Sequence, residues 1–313
     1  MKILHLDSTH SYLYKKLEKI GFTNKFDFES SKDQIENKIS SYHGIIIRSR
    51  IPIDKSLINK ATNLKFIARV GSGTENIDIE HAKKNKINII SSPEGNSNAV
   101  GEHALGMLLS LVNNMSHSHT EIINGVWSRE PNRGYELINK TIGLIGYGHT
   151  GKAFAKKLSG LDVRTVFYDL KPNLKNEFAK EVTLKKIKEI SDVISIHTSL
   201  TKEAFQIINT KFINECKKPF WLINTARGKC VNSKDIIRGI NEKKILGAAL
   251  DVLEFENKSF ENLSESLNSN PNLYNLINSK KILLTPHVAG WTHESKIGLV
   301  KVILKKIKKV FDK

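Results

Sequence analysis

The 313-residue chain has only two cysteines, Cys216 and Cys230, and no run approaching the roughly 20 apolar residues that a membrane-spanning helix needs. The first shortage excludes a disulfide framework and a cysteine-rich metal cluster; the second excludes a transmembrane helix. The opening MKILHLDSTH turns polar too soon for a signal peptide, so a cytoplasmic protein is expected. Low-complexity tracts are absent, and an apolar content of 39% is enough for packed cores, which excludes a disordered chain. Acidic residues are scarce too: 32 Asp and Glu stand against 49 Lys and Arg, a net charge of +17. Such a balance suits nucleic acid, a membrane surface or an anionic substrate. The lysines, however, are scattered through KKLEK, HAKKNK, LKKIKE and KKIKK rather than gathered in one block. With abundant Asn and Ile, this reads as compositional drift. Neither nucleic acid nor membrane is an expected partner.

What is present is an α/β rhythm over a length that favours two domains. KILHLD, GIIIRSR, LKFIARV and INII each have the apolar density of a buried parallel strand, with polar or amphipathic stretches between them. The run AVGEHALGMLLSLVNNM follows from Asn98 and predicts one long helix, then a loop, INGVWSREPNRGYEL. A second series comprises TIGLIGYG, VRTVFYD, DVISIHT, FWLINTA, ILGAALDV and KILLTPH, with helical patterns such as GKAFAKKLSG and SKDIIRGINEKK between strands. Right-handed crossovers would stack these strands into one parallel sheet. The polar segment FENKSFENLSESLNSNPNLYNLINSKK is too long for a strand connection and reads as a surface insertion with a short helix near Leu273 to Ile277. In the last segment, Val300, Ile303, Leu304, Ile307, Val310 and Phe311 share one helical face, fit for packing on a domain.

Gly146, Gly148 and Gly151 form GxGxxG between a strand pattern and a helix pattern, with His149 and Thr150 inside it. That context is the one a dinucleotide-binding turn requires. The glycines allow a tight turn, close approach to a pyrophosphate and close helix–strand packing, with phosphate at the helix N-terminus. Asp169 lies 18 positions beyond Gly151, at the end of the next strand. A carboxylate there accepts hydrogen bonds from ribose hydroxyls and repels a 2′-phosphate, which favours NAD over NADP, although Lys171 is near.

Polar residues at the carboxyl ends of later strands mark a ligand site in such sheets. Here they are His197; Asn224, Thr225 and Arg227; Asp251 and Glu256; and His287. NTARG, GAALDV followed by Glu256, and TPHVAG resemble the signature set of the D-isomer-specific 2-hydroxyacid dehydrogenases. VGSGTENIDIEHA, SNAVGEHALGMLLSLV and RGYELINKTIGLIGYG extend the resemblance over nearly the whole chain. Within that family FWLINTARGKCV, GAALDVLEFE and TPHVAGWTHES look most like the short D-3-phosphoglycerate dehydrogenases. In one departure, His197-Thr-Ser199-Leu-Thr stands where the family commonly has His-x-Pro-Leu-Thr, so this loop lacks the rigid φ of proline.

The resemblance implies two Rossmann-like doubly wound domains with a cleft between them: a discontinuous, flavodoxin-like substrate domain, 1–98 plus 289–313, and an NAD-binding domain, 99–288. It implies interconversion of a 2-hydroxy and a 2-oxo acid, here a phosphorylated one. His287 would be the acid/base, Glu256 would hold its far ring nitrogen, and Arg227 would grip the substrate carboxylate. His197, Thr225, Ala226 and Asp251 would line the cofactor, with Asp251 on the nicotinamide carboxamide. An unperturbed pKa of about 6.5 suits histidine to this task, and the planar fork of arginine suits carboxylate.

In the first domain, backbone N–H groups of Gly71, Ser72 and Gly73 would bind the carboxylate. Arg48 and Arg50 are either phosphate ligands or solvated charges at a strand end. Asn96 and Asn98 would lie at the hinge, and Thr292 and His293 near the cleft. Cys230 is expected to be a small buried residue and His103 a structural hydrogen-bonder, with no metal site. Trp127, in a region that packs across a dimer interface in the family, implies a homodimer. No C-terminal regulatory module, and so no serine feedback through one, is expected. The rival readings are a glyoxylate or hydroxypyruvate reductase, another D-2-hydroxyacid dehydrogenase such as that for D-lactate, and an NAD-sensing corepressor-like protein. The intact Arg227, Glu256 and His287 set argues against the last.

Overall fold

The computed structural model describes residues 1–174, 177–256 and 270–311. The chain divides into two compact units, Met1–Ser97 with Trp291–Lys313, and Asn98–Gly290.

The first unit is built on β1 (Lys2–His5), β2 (Thr23–Phe26), β3 (Gly44–Ile47), β4 (Phe66–Arg69) and β5 (Asn88–Ser91). They form one parallel sheet in the order β2-β1-β3-β4-β5, the flavodoxin-like order. All four residues of β3 are buried, as expected of a strand covered on both faces. The two-residue alternation sends Ile45 and Ile47 into one core with Leu57 and Ile67, and Ile46 into the other with Phe66 and Leu13.

The C-terminal helix His293–Val310 buries Val300, Ile303, Leu304 and Ile307 in this second core, so its apolar face is covered by protein. Val310, expected on the same face, is exposed in the last turn. The helix sits directly on the turn before Ser97: a Cβ on Gly298 would stand 2.4 Å from the Gly95 carbonyl oxygen. β2 has no sequence signal, because this edge strand, TNKF, buries none of its residues and carries no apolar run.

The second unit contains β6 (Thr141–Ile145), β7 (Arg164–Tyr168), β8 (Lys180–Glu181), β9 (Val193–Ile196), β10 (Phe220–Asn224), β11 (Ile245–Leu250) and β12 (Ile282–Leu284). All pairings are parallel, in the order β12-β11-β10-β9-β6-β7-β8. The order reverses between β6 and β9, so the loops after those two strands flank the switch point where such sheets bind ligands.

The long helix expected over 99–115 spans Ser97–Val112, and a second helix that sequence reasoning did not assign, Met115–Ile123, follows it. The break is at Asn114, whose φ of +53° is left-handed and ends regular hydrogen bonding. The short helix expected near Leu273 spans Pro271–Ile277, while most of the insertion before it lies outside the described residues. Among the described residues, no helix is long and apolar enough to cross a membrane.

Candidate active site

The glycine turn follows β6 and opens the helix His149–Leu158. Gly146 has φ +93°, and a Cβ there would stand 2.7 Å from the His197 carbonyl carbon, so only glycine fits between this turn and the end of β9. At Gly151 a Cβ would meet the Gly146 carbonyl oxygen at 2.4 Å, which fixes the close helix–strand approach. Gly148 is different: a Cβ would meet nothing within 4 Å, and the helix N-cap carries no side-chain cap. Open space and a side-chain-free helix start coincide where a pyrophosphate would lie.

Asp169, the residue after β7, accepts the Tyr147 N–H at 2.7 Å and the Lys171 N–H at 2.9 Å. It therefore shapes the glycine turn as well as placing a carboxylate beside it. Below the turn, the buried Tyr147 ring stacks on Phe167 at 3.8 Å, and burial pushes its phenol up to about 12. His197 has its ring in the core, with Nε2 2.9 Å from Ser195 Oγ and Nδ1 buried without a hydrogen-bond partner among the described residues. Desolvation lowers its pKa to about 3, so it is neutral, and its backbone is the part that meets Gly146.

The ends of β10, β11 and β12 bring the second cluster together. Asn224, fully buried, accepts the Ala226 N–H and donates to the Arg227 carbonyl, each at 3.0 Å, and so closes the Thr225–Arg227 turn. Gly228 lets this turn lie against the neighbouring loop: a Cβ would sit 1.9 Å from the Leu253 carbonyl oxygen. The Leu253 N–H in turn donates to Glu256 Oε1, and Glu256 Oε2 lies 2.9 Å from His287 Nδ1. Both side chains keep a solvent face, 32% of His287 and 23% of Glu256. Arg227, half-buried, directs Nη1 to the Ala226 carbonyl at 2.7 Å. Thr225 Oγ1 is buried with no hydrogen-bond partner among the described residues.

His287 has φ +54°, a left-handed backbone that histidine adopts more readily than most residues. Its N–H donates to the Asp251 carbonyl at 2.8 Å. The Asp251 carboxylate, 1% exposed, accepts from Thr285 Oγ1 at 2.6 Å, Val288 N at 2.8 Å and Ala289 N at 2.9 Å. The described hydrogen bonds of the Asp251 carboxylate are thus with the turn that carries His287. Sequence reasoning missed this duty, whose only signal was a lone acid ending β11.

In the first unit, the Arg50 fork is committed to backbone, donating to the carbonyls of Leu6 and Ser30 at 2.6 Å and Asp27 at 3.2 Å. The Arg48 guanidinium lies over the Trp291 ring, 4.6 Å from its centroid. Asp7, which sequence reasoning passed over, holds this loop by accepting the Arg48 N–H at 2.6 Å and the Ser49 N–H at 3.2 Å. The Gly71 N–H donates to Ser92 Oγ at 3.0 Å, Ser72 Oγ donates to Asn96 Oδ1 at 2.9 Å, and Gly73 is buried. Arg69, also missed, packs its guanidinium over Gly71. Asn98 donates to Glu102, Thr292 caps the C-terminal helix, and His293 opens it in solvent. Cys230 is buried, and burial pushes the Cys216 thiol up to about 12. No cluster of metal-ligating side chains occurs among the described residues.

Residues 105–289, more than half of the chain, match the D-isomer specific 2-hydroxyacid dehydrogenase, NAD binding domain. The chain belongs to that family. Its relatives include a glyoxylate reductase of Thermofilum pendens, 34% identical over 86% of this chain and 78% of that one. A D-3-phosphoglycerate dehydrogenase of Archaeoglobus fulgidus is 29% identical over 98% of this chain and 56% of its own length. The chain spans about half the length of several phosphoglycerate dehydrogenases that it matches. Among solved structures, a glyoxylate reductase from Paecilomyes thermophila superposes with a TM-score of 0.87, at 23% identity over all of this chain and 96% of that one. That likeness shows the fold.

As a member of the family, the second unit carries an NAD-binding domain, and its residues fit the cofactor. The open space at Gly148, the helix start beside it, the Asp169 carboxylate and the partnerless Thr225 hydroxyl are polar features that a dinucleotide would satisfy.

Proposed function

We propose that the chain is an NAD-dependent D-2-hydroxyacid dehydrogenase that oxidises 3-phospho-D-glycerate at its C2 hydroxyl to 3-phosphohydroxypyruvate. The observation that carries the chemistry is the 2.9 Å bond between His287 and Glu256, beside the loop of Arg227. Bound NAD supplies the hydride acceptor. With Nδ1 held by Glu256, His287 takes the C2 hydroxyl proton on Nε2, and the carboxylate stabilises the imidazolium that results. Arg227 binds the substrate carboxylate and polarises the C2 oxygen as it becomes a carbonyl. The reverse reaction returns the proton from His287 to the alkoxide oxygen.

For the substrate, support comes from phosphoglycerate dehydrogenases among the relatives and from the Arg48 guanidinium at the strand end. Arg50 is spent on three carbonyls, so the phosphate role passes to Arg48 alone. That same commitment favours a second reading, reduction of glyoxylate or hydroxypyruvate, substrates without a phosphate. It also accords with the glyoxylate reductase and with a hydroxypyruvate reductase of Thermotoga maritima among the relatives. NADH formation from 3-phospho-D-glycerate, with NADP in parallel, tests the first reading. NADH consumption with glyoxylate and none formed from 3-phospho-D-glycerate would establish the second.

A homodimer belongs to the same proposal. The helix Met115–Ile123 buries no residue, and Ile123, Val126 and Trp127, the last 81% exposed, form an apolar surface that a second copy would cover.

A further inference from the structure

Beyond the three residues of the proposed chemistry, one histidine is wired to them. On the helix Ser97–Val112, His103 places Nε2 3.1 Å from Thr285 Oγ1 and 3.5 Å from Asp251 Oδ1. Thr285 has a single hydroxyl hydrogen, and its 2.6 Å contact with the Asp251 carboxylate takes it. The hydroxyl oxygen can then only accept from His103, so Nε2 of that ring carries a proton. The Asp251 carboxylate also accepts the N–H groups of Val288 and Ala289, and the Asp251 carbonyl receives the His287 N–H. Pro286, which has no N–H, needs no partner. Every N–H from His287 to Ala289 is thus tied to Asp251, and the turn holds His287 at φ +54°.

We infer that His103 is a positioning residue for the dehydrogenase reaction: by donating from Nε2 to Thr285 it orients the Asp251 carboxylate that sets the turn and aims the His287 ring. Its described contacts are with Thr285 and Asp251. The inference rests on the dehydrogenase reading for its kinetic test, but not for its structural one.

The test compares two amides. In His103→Gln the side-chain nitrogen reaches the place of Nε2; in His103→Asn it stops short of Thr285. The expected result is a kcat within about threefold of wild type for Gln and roughly 10- to 100-fold lower for Asn, with KM and NADH affinity unchanged in both. His103→Leu, equally donor-less, replaces Asn if that variant does not fold. Equal kcat for the Gln and the donor-less variant overturns the inference. If wild type oxidises no 2-hydroxy acid, the dehydrogenase reading fails by itself. The inference is then judged by the ¹⁵N-histidine spectrum: the His287 ring signals should move in the donor-less variant and stay in place with Gln. Signals unmoved in the donor-less variant reject it.

Discussion

His287 Nδ1 and Glu256 Oε2 stand 2.9 Å apart, joining residues 31 positions apart in sequence in the loops that follow two neighbouring strands. The bond leaves Nε2 as the ring nitrogen that would face the substrate of the proposed reaction. Glu256→Gln keeps the shape of the pair but removes the charge that stabilises imidazolium. A roughly 10²- to 10⁴-fold fall in kcat is expected, with NADH affinity kept, measured by steady-state kinetics and fluorescence titration. A Gln variant with wild-type kcat would remove Glu256 from the chemistry.

The three glycines of the turn should separate cofactor binding from folding. Gly148→Ala puts a methyl group into open space, so thermal stability should hold while NADH binds at least tenfold more weakly. Gly151→Ala drives a Cβ toward the Gly146 carbonyl, and a destabilisation of about 1–3 kcal/mol is expected. Thermal melts and NADH titrations on both variants check this. Equal effects on stability would contradict the assignment of Gly148 to the pyrophosphate.

The two arginines after β3 should behave differently. Arg50→Ala strips donors from the carbonyls of Leu6, Asp27 and Ser30 and should cost about 2 kcal/mol of stability in denaturant unfolding. Arg48→Ala should leave stability unchanged and raise KM roughly tenfold for 3-phospho-D-glycerate but not for unphosphorylated D-glycerate. An equal change for both acids would take Arg48 away from the phosphate.

Stability should fall with acid because of His197. Its pKa in the folded state, about 3, lies below the ordinary value of about 6.5, so the unfolded chain binds a proton that the native protein refuses. The contribution is neutral-form stability: complete above pH 6.5 and lost as pH falls from 6.5 toward 3. The Lys32 and Lys60 ammonium groups hold the Glu36 carboxyl down at about 2, so its contribution is lost only below pH 4.5. Denaturant unfolding between pH 7 and 5 should therefore show a slope approaching one proton that is absent in His197→Leu. A slope unchanged by that substitution would show that other groups carry it.

Much of this was legible in sequence where burial dictates residue type. GIIIRSR and TIGLIGYG announce strands because parallel strands covered on both faces must be apolar, and the spacing of Gly146, Gly148 and Gly151 follows from a backbone turn. The edge strands TNKF and Lys180–Glu181 were invisible because they bury nothing. The break at Asn114 was hidden because asparagine tolerates the left-handed region without any proline or glycine to mark it. At the site, residue types located His287, Glu256 and Arg227, but not partners. That Asp251 holds the His287 turn, and that Arg50 is consumed by carbonyls, depends on hydrogen bonds between distant segments.

The most direct measurement is NADH formation by wild type and His287→Gln with the acid that turns over fastest in a panel headed by 3-phospho-D-glycerate. The account predicts steady oxidation by wild type, a roughly 10²- to 10⁴-fold lower kcat in His287→Gln, and unaltered NADH binding. A variant turning over within a few-fold of wild type would place the proton transfer elsewhere and contradict the account.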